Sequence, residues 1–201
     1  MATSPTIQAY NSYADIYDAE VTAFWEQFPS QTIEAFRSAL PGTNVLDLGS
    51  GSGRDAVLLR NSGLDVTCLD ASTSMIAMTQ KLGFPSIHTD FSNMNLSGYQ
   101  FDGIWAYTSL IHVPPEELVK TVTALYGALA ANGVLLLGLI QGSGAQVVTR
   151  DSMPGAERYF QFYQAKEIDQ LMHGAGFSLV FSENYTPRHS TYLNRIYRPT
   201  V

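Results

Sequence analysis

From residue 44 onward, short apolar runs alternate with longer stretches in which apolar residues recur every three or four positions. "NVLDLG" (44–49) is a compact strand-like run, and "GRDAVLLRNSG" (53–63) follows with helix formers that stop at Gly63. "DVTCLD" (65–70) is the next strand. "STSMIAMTQKLG" (72–83) opens on Ser72, a good helix cap, and sets Met75, Ile76, Thr79 and Leu82 on one helical face. "SIHTD" (86–90) has weaker strand character than "FDGIWAYTS" (101–109). After Pro114 and Pro115, Leu118, Val122, Leu125 and Leu129 repeat at helical spacing until Asn132-Gly133 supplies a stop. "GVLLLGLI" (133–140) is apolar on both faces, as a strand inside a covered parallel sheet must be.

Repeated strand–helix–strand predicts an α/β fold, a mostly parallel sheet with helices on both faces. The tail changes character. "AKEIDQLMHGAG" (165–176) reads as a helix, and "FSLVFSE" and "STYLNRIYR" as two strands joined near Pro187. So short a link predicts an antiparallel hairpin at one side of the sheet. Residues 1–40 read as helical, with Tyr10, Tyr13 and Tyr17 on one face, and form a lid or cap segment on a domain spanning 41–201. No repeat, low-complexity tract or linker divides the chain, so one structural domain is expected.

Composition narrows the class. The 201 residues are 45% hydrophobic and 14% charged, with a formal charge of −7. That is a globular balance, and it disfavours a broad phosphate-binding surface. Eight of the eleven cationic residues are arginines, five of them from Arg150 onward, which keeps a local basic groove open. The lone Cys68 lies in an apolar run and excludes an internal disulfide framework. The first twenty residues lack a basic start before an apolar stretch, and no run is long enough to span a bilayer. A cytoplasmic protein is expected, monomeric or homodimeric, with no membrane partner.

"LDLGSGSGRD" (46–55) follows the first strand, at the sheet edge where open α/β folds bind ligands. Its glycines are Gly49, Gly51 and Gly53, whereas a dinucleotide fingerprint needs a glycine where Arg54 stands, and the Gly-Lys-Ser/Thr ending of a P-loop is missing. Asp47, Asp70 and Asp90 converge near the same edge. Three carboxylates would repel a pyrophosphate and suit a ligand with positive charge and sugar hydroxyls. Asp70 lies 21 residues after Gly49, the spacing at which an acidic residue meets a ribose.

In order and spacing, "VLDLGSGSGRDAVLL", "VTCLDASTSM", "TDFSNM", "FDGIWAYTSLIHVPPEEL" and "LAANGVLLLGL" resemble the successive motifs of class I S-adenosylmethionine-dependent methyltransferases. The resemblance runs from about Asn44 to Leu139 and implies a Rossmann-like seven-stranded, three-layer sandwich with an antiparallel last strand. It implies S-adenosyl-L-methionine as cofactor and S-adenosyl-L-homocysteine as product. Gly49, Gly51 and Gly53 would form the floor beneath it, beside Arg54, whose own role is open. Asp47 would orient the loop and the cofactor's amino group, and Asp70 would accept both ribose hydroxyls. Ala71 and Met75 would line the adenine, with Asp90 and Phe91 at its edge. Ala106 would offer a carbonyl near the methionyl amine, and Tyr13 and Tyr17 would close over the site.

Plainer readings stand beside these. Asp47 and Asp90 also suit turn caps, Met75 suits a core, and the tyrosine stripe suits helix packing. Methyl transfer needs near-attack geometry at about 3 Å and exclusion of water, and a base only for an amine or hydroxyl acceptor. His112 is the candidate base; its alternative is a structural histidine bonded to a backbone carbonyl. The absence of an Asn-Pro-Pro-Tyr type sequence after the fourth strand argues against nucleobase and glutamine-amide N-methylation.

The stretch 141–167 is rich in glycine, arginine and aromatics. Arg158 with Tyr159 could clamp an anionic planar substrate, near Tyr107 and Tyr13; equally, its alternating aromatics suit a strand packed on the domain. Arg188 and His189 are further candidates. The leading expectation is transfer to an O, N or S atom of a small molecule by in-line displacement, with no metal ligands assigned and no nucleic-acid partner. An RNA-modifying enzyme stays open because "ERYFQFYQAKEI" is similar to a stretch of tRNA wobble-uridine carboxyl methyltransferases. A non-catalytic S-adenosylmethionine-binding protein also stays open, and a nicotinamide oxidoreductase is the remotest reading.

Overall fold

The computed structural model describes residues 4–25, 30–187 and 189–200. Alternation of apolar runs and helices produces β1 (Asn44–Leu48), α4 (Arg54–Asn61), β2 (Asp65–Asp70), α5 (Thr73–Lys81), β3 (Ser86–His88), β4 (Phe101–Tyr107), α6 (Pro115–Ala128) and β5 (Leu129–Ile140). Then come β6 (Ala145–Arg150), β7 (Met153–Gln161), α7 (Ala165–Gly174), β8 (Phe177–Tyr185) and β9 (Tyr192–Pro199). Ahead of them lie α1 (Pro5–Ser12), α2 (Ala14–Trp25) and α3 (Ser30–Ala39).

Seven strands form one sheet in the order β3-β2-β1-β4-β5-β9-β8. β1 to β5 pair in parallel, whereas β9 runs antiparallel to both neighbours. Val45, Leu46, Leu48, Ile104 and Leu135 to Leu137 are fully buried in the central strands because helices cover both faces. Two apolar clusters result. One joins α6 and α7 to the sheet through Leu118, Val122, Ile168 and Met172, and the other joins α3 and α4 through Phe36, Ala56 and Leu59.

Three local details differ from the sequence reading. The helix after Pro115 ends at Ala128, before the Asn132-Gly133 stop, because Leu129 already pairs with Phe101 on β4. The chain then bends at Asn132, held at φ 63°, and rejoins the ladder at Gly103 and Val134. The stretch 141–167 carries a separate two-stranded antiparallel sheet, β6 with β7, which packs on α1. The N-terminal helical run also breaks at Tyr13, where φ is −126°, so α1 and α2 are distinct helices.

Among the described residues no helix is long and apolar enough to cross a membrane.

Candidate active site

The carboxyl ends of β1, β2 and β4 open into a cavity of about 460 Å³, roofed by α1, α2 and the β6–β7 hairpin. Its floor is the loop 49–52. Gly49 sits at φ 72°, and a Cβ there would lie 2.4 Å from the Ser109 Cβ, so only glycine fits. Gly51 is at φ 53° with open space where its Cβ would stand, so its backbone faces the cavity bare.

Asp70, at the end of β2, ties this floor to the next turn. Its Oδ2 accepts the Gly51 amide at 2.9 Å and its Oδ1 accepts the Ser72 amide at 2.8 Å. A carboxylate has about four acceptor sites, so capacity remains on the cavity side. Burial raises the Asp70 pKa, opposed by the amides of Ser72, Gly51 and Ala71. Asp47 lies behind the floor, 2% exposed, with Oδ2 buried and without a hydrogen-bond partner. Desolvation holds its pKa well above the usual carboxylate range, and repulsion from Asp55 and Asp70 adds to it. Burial lifts Asp55 to about 7 against the stabilising hydrogen bond from the Trp105 indole at 2.6 Å. Burial raises all three carboxyls, and a positive charge in the cavity would favour their ionised forms.

The remaining walls are mostly apolar or aromatic. Ala71, Met75, Phe91, Tyr107 and Tyr17 face the cavity. Asp90 faces it too, and its Oδ1 caps the following one-turn 3-10 helix through the Ser92 amide at 3.0 Å. Thr108, a β-branched residue at φ 51°, turns the chain after β4 and delivers Ser109 and a second 3-10 turn carrying His112. Such a backbone outlier at a cavity wall stores strain where ligands bind.

His112 lines the cavity with both ring nitrogens engaged. Nδ1 lies 2.6 Å from the Tyr159 carbonyl, which can only accept, so Nδ1 carries the proton. Nε2 therefore accepts from the Tyr10 hydroxyl at 3.0 Å. Burial, aided by the nearby Arg158 charge and opposed by the Tyr159 carbonyl, pushes its pKa down to about 4. This is a neutral, weakly basic imidazole fixed in one tautomer.

Several candidates occupy other places. Arg54 borders the cavity, and its guanidinium grips Asp18 of α2 with two contacts of 2.8 Å. Gly53 (φ 90°) caps α4 and packs on Thr79 and Leu82 rather than facing the cavity. Ala106 is fully buried in the β4 ladder, and the cavity meets Tyr107 to Ser109 instead. The Tyr13 hydroxyl donates to the Pro154 carbonyl at 2.8 Å, and its ring packs on Met153 and Ala156, so it joins α1 to the hairpin. Tyr159 lines the cavity, whereas Arg158 is 1% exposed behind it. His189 is exposed in the β8–β9 connection, and Arg188 lies outside the described residues.

Tyr10 was legible only as part of a tyrosine stripe, yet it lines the cavity and meets Tyr17 edge-on at 5.0 Å. Glu117 and Glu157 at the rim gave no sequence signal.

Residues 45–133 match the family model described as "Methyltransferase domain". Phosphoethanolamine N-methyltransferase 2 of Caenorhabditis elegans is 26% identical over 80% of this chain and 38% of its own length. Ubiquinone biosynthesis O-methyltransferase of Coxiella burnetii is 29% identical over 70% of this chain and 66% of its own. The chain thus spans less than two thirds of either relative. Among solved structures, the DhpI–SAH complex superposes with a TM-score of 0.80 at 23% identity, covering 98% of this chain and 96% of that one. The 1,6-didemethyltoxoflavin-N1-methyltransferase of Burkholderia thailandensis, with S-adenosylhomocysteine bound, gives 0.76 at 19% identity over 100% and 92%. The 3-2-1-4-5-9-8 sheet is thus the fold shared with these S-adenosylhomocysteine-bound structures, and residues 45–133, which hold the glycine floor and Asp70, carry the likeness to the methyltransferase domain.

Proposed function

We propose that the protein transfers a methyl group from S-adenosylmethionine to an O, N or S atom of a small molecule. The observation that carries this reading is the Asp70 tie between the Gly51 and Ser72 amides, at the edge of a roofed cavity of about 460 Å³. The residues fit the cofactor's chemistry. Asp70 keeps acceptor capacity for a ribose diol, and the bare Gly51 backbone leaves room beside it. Met75, Ala71 and Phe91 suit the adenine, with Asp90 at its edge. Asp47 acts through the loop, since it does not reach the cavity wall. When bound, the cofactor supplies a methyl carbon on a sulfonium, an electrophile with an activated leaving group.

The chain's own part is to bind, orient and exclude water. Residues 4–25 serve as a lid, with Tyr10 and Tyr17 over the cavity. His112 acts as a positioning group that holds Tyr10, because its acceptor nitrogen is already filled and its basicity is low. This favours acceptors that do not depend on a strong base.

A small-molecule acceptor is also supported by how the late arginines are used. Arg150 pairs with Glu20, Arg195 binds the Glu183 and Asn194 carbonyls, and Arg198 binds the Ala39 carbonyl. They form no open phosphate-binding stripe among the described residues.

Labelled S-adenosylmethionine incubated with the protein and a cell extract should place label in the low-mass pool. Label confined to RNA would replace the acceptor class. Calorimetric binding of S-adenosylmethionine with no transfer to any pool would leave a binding protein, and no binding at all would remove the reading.

A further inference from the structure

Arg158 is the observation that the proposed function leaves unused. Its guanidinium is buried on β7, opposite Val148 of β6, in a residue only 1% exposed. The guanidinium hydrogen-bonds the Tyr10 hydroxyl, whereas Nε and Nη2 have no hydrogen-bond partner and among the described residues no carboxylate forms an ion pair with it. The group sits between two rings, 5.7 Å from the Tyr10 centroid and 5.4 Å from the Phe160 centroid. Both rings meet His112, Tyr10 edge-on at 5.5 Å and Phe160 at 4.9 Å. Tyr10 and His112 are cavity wall, so a full positive charge stands one side chain behind it.

A buried guanidinium cannot shed its proton, and an uncompensated one is costly to hold. The other basic groups near the roof are spent: Arg54 on Asp18 and Arg150 on Glu20. Rim carboxylates Glu117 and Glu157 are exposed and screened by water, whereas Arg158 acts through a low-dielectric wall. The cavity is therefore polarised, with carboxyls of Asp70 and Asp55 on the floor and a cation behind the hairpin side.

We propose that the acceptor carries an oxyanion, a carboxylate or a phosphate-type group, and that Arg158 supplies its counter-charge from behind the Tyr10–His112 wall. The inference rests on the cofactor reading, which places a cationic ligand on the floor and leaves this side for the acceptor. Tyr10, Tyr159 and Val147 give the anion's organic body an apolar, aromatic surround. Arg158 is thus a specificity-determining residue that selects acids over their neutral derivatives.

The test uses the full chain saturated with S-adenosylhomocysteine, so that cofactor binding is checked first and separately. Probes are 4-hydroxybenzoate against its methyl ester, and phenylphosphonate against its diethyl ester, with affinity read by ligand-observed NMR. At least one acid should bind about tenfold or more tighter than its ester, and the pair that discriminates identifies which oxyanion fits. Arg158→Met should abolish that preference while leaving ester and S-adenosylhomocysteine affinities within about twofold. Arg158→Lys should retain part of it. Because no carboxylate among the described residues pairs with this buried charge, and Met keeps an apolar contact with the Tyr10 and Phe160 rings, Arg158→Met should unfold no more easily than the parent. Equal binding of both acids and their esters by the parent, or a preference that survives Arg158→Met, would overturn the proposal. Loss of S-adenosylhomocysteine affinity in Arg158→Met would also overturn it, by assigning the guanidinium to the cofactor instead.

Discussion

Asp70 does two jobs with one carboxylate, fixing the glycine floor and the β2–α5 turn through the Gly51 and Ser72 amides. Asn in its place offers one acceptor oxygen instead of two, so one amide or one ligand hydroxyl loses its partner. With charge-assisted bonds worth about 1.5–3 kcal/mol, Asp70→Asn should weaken S-adenosylhomocysteine binding by roughly 10- to 100-fold. Calorimetry checks this, and an unchanged affinity would remove Asp70 from the ribose. The residue was legible because an acidic side chain ending the second strand has few other uses at that spacing. Arg54 and Tyr13 were not legible in the same way. Their partners, Asp18 and the Pro154 carbonyl, lie on elements whose docking no local pattern encodes.

α2 and α4 meet through the Arg54–Asp18 pair. Arg54 starts α4 directly after the glycine loop, and its fork grips both oxygens of Asp18, whose pKa is lowered chiefly by this hydrogen bond. The pair is a third or less exposed, so its stability contribution is at most about 1 kcal/mol. Its larger effect is on position. Asp18→Asn should leave the unfolding midpoint nearly unchanged yet raise amide hydrogen exchange across residues 14–21, an expectation that unaltered protection of α2 would refute. The β6–β7 hairpin belongs to the same scale. Its aromatics could be read as a strand or as a substrate clamp, and pairing decides in detail: Tyr159 faces the cavity while Arg158 turns inward.

For the whole molecule, the buried carboxyls make stability depend on pH. The folded state holds Asp55 protonated up to about 7, whereas an unfolded Asp ionises near 3.9. Between those values the folded chain binds the extra proton, so this contribution is full below about pH 4 and is lost as pH rises through about 7. Asp47 and Asp70, also raised, act in the same direction. Asp18 and Glu20 are lowered and act oppositely in the acid range below the ordinary carboxylate values, and His112, lowered to about 4, acts oppositely up to the ordinary imidazole value near 6.5. Without ligand, the unfolding free energy from urea titration should fall from pH 6.5, above which His112 no longer opposes, to pH 7.5 by about 1–2 kcal/mol, lowering the urea midpoint. Asp55→Asn keeps an acceptor for Trp105 and removes the charge, so it should flatten that fall; a parent midpoint that rises over the window would contradict the assignment.

The alternation of strands and helices over 44–140, the helix and two-strand tail, the glycine loop and the acidic residue ending β2 were determined by sequence alone, because periodicity, turn chemistry and spacing are local properties of a chain. The β6–β7 hairpin and the break at Tyr13 were not. Only tertiary structure decided that His112 is a fixed, weakly basic group, that Arg158 is a buried cation with no carboxylate paired to it among the described residues, and that Arg54 ties α4 to α2. Each of those facts depends on desolvation and on partners between 36 and 148 residues away in the chain, and neither burial nor distant pairing is written in a residue's neighbours.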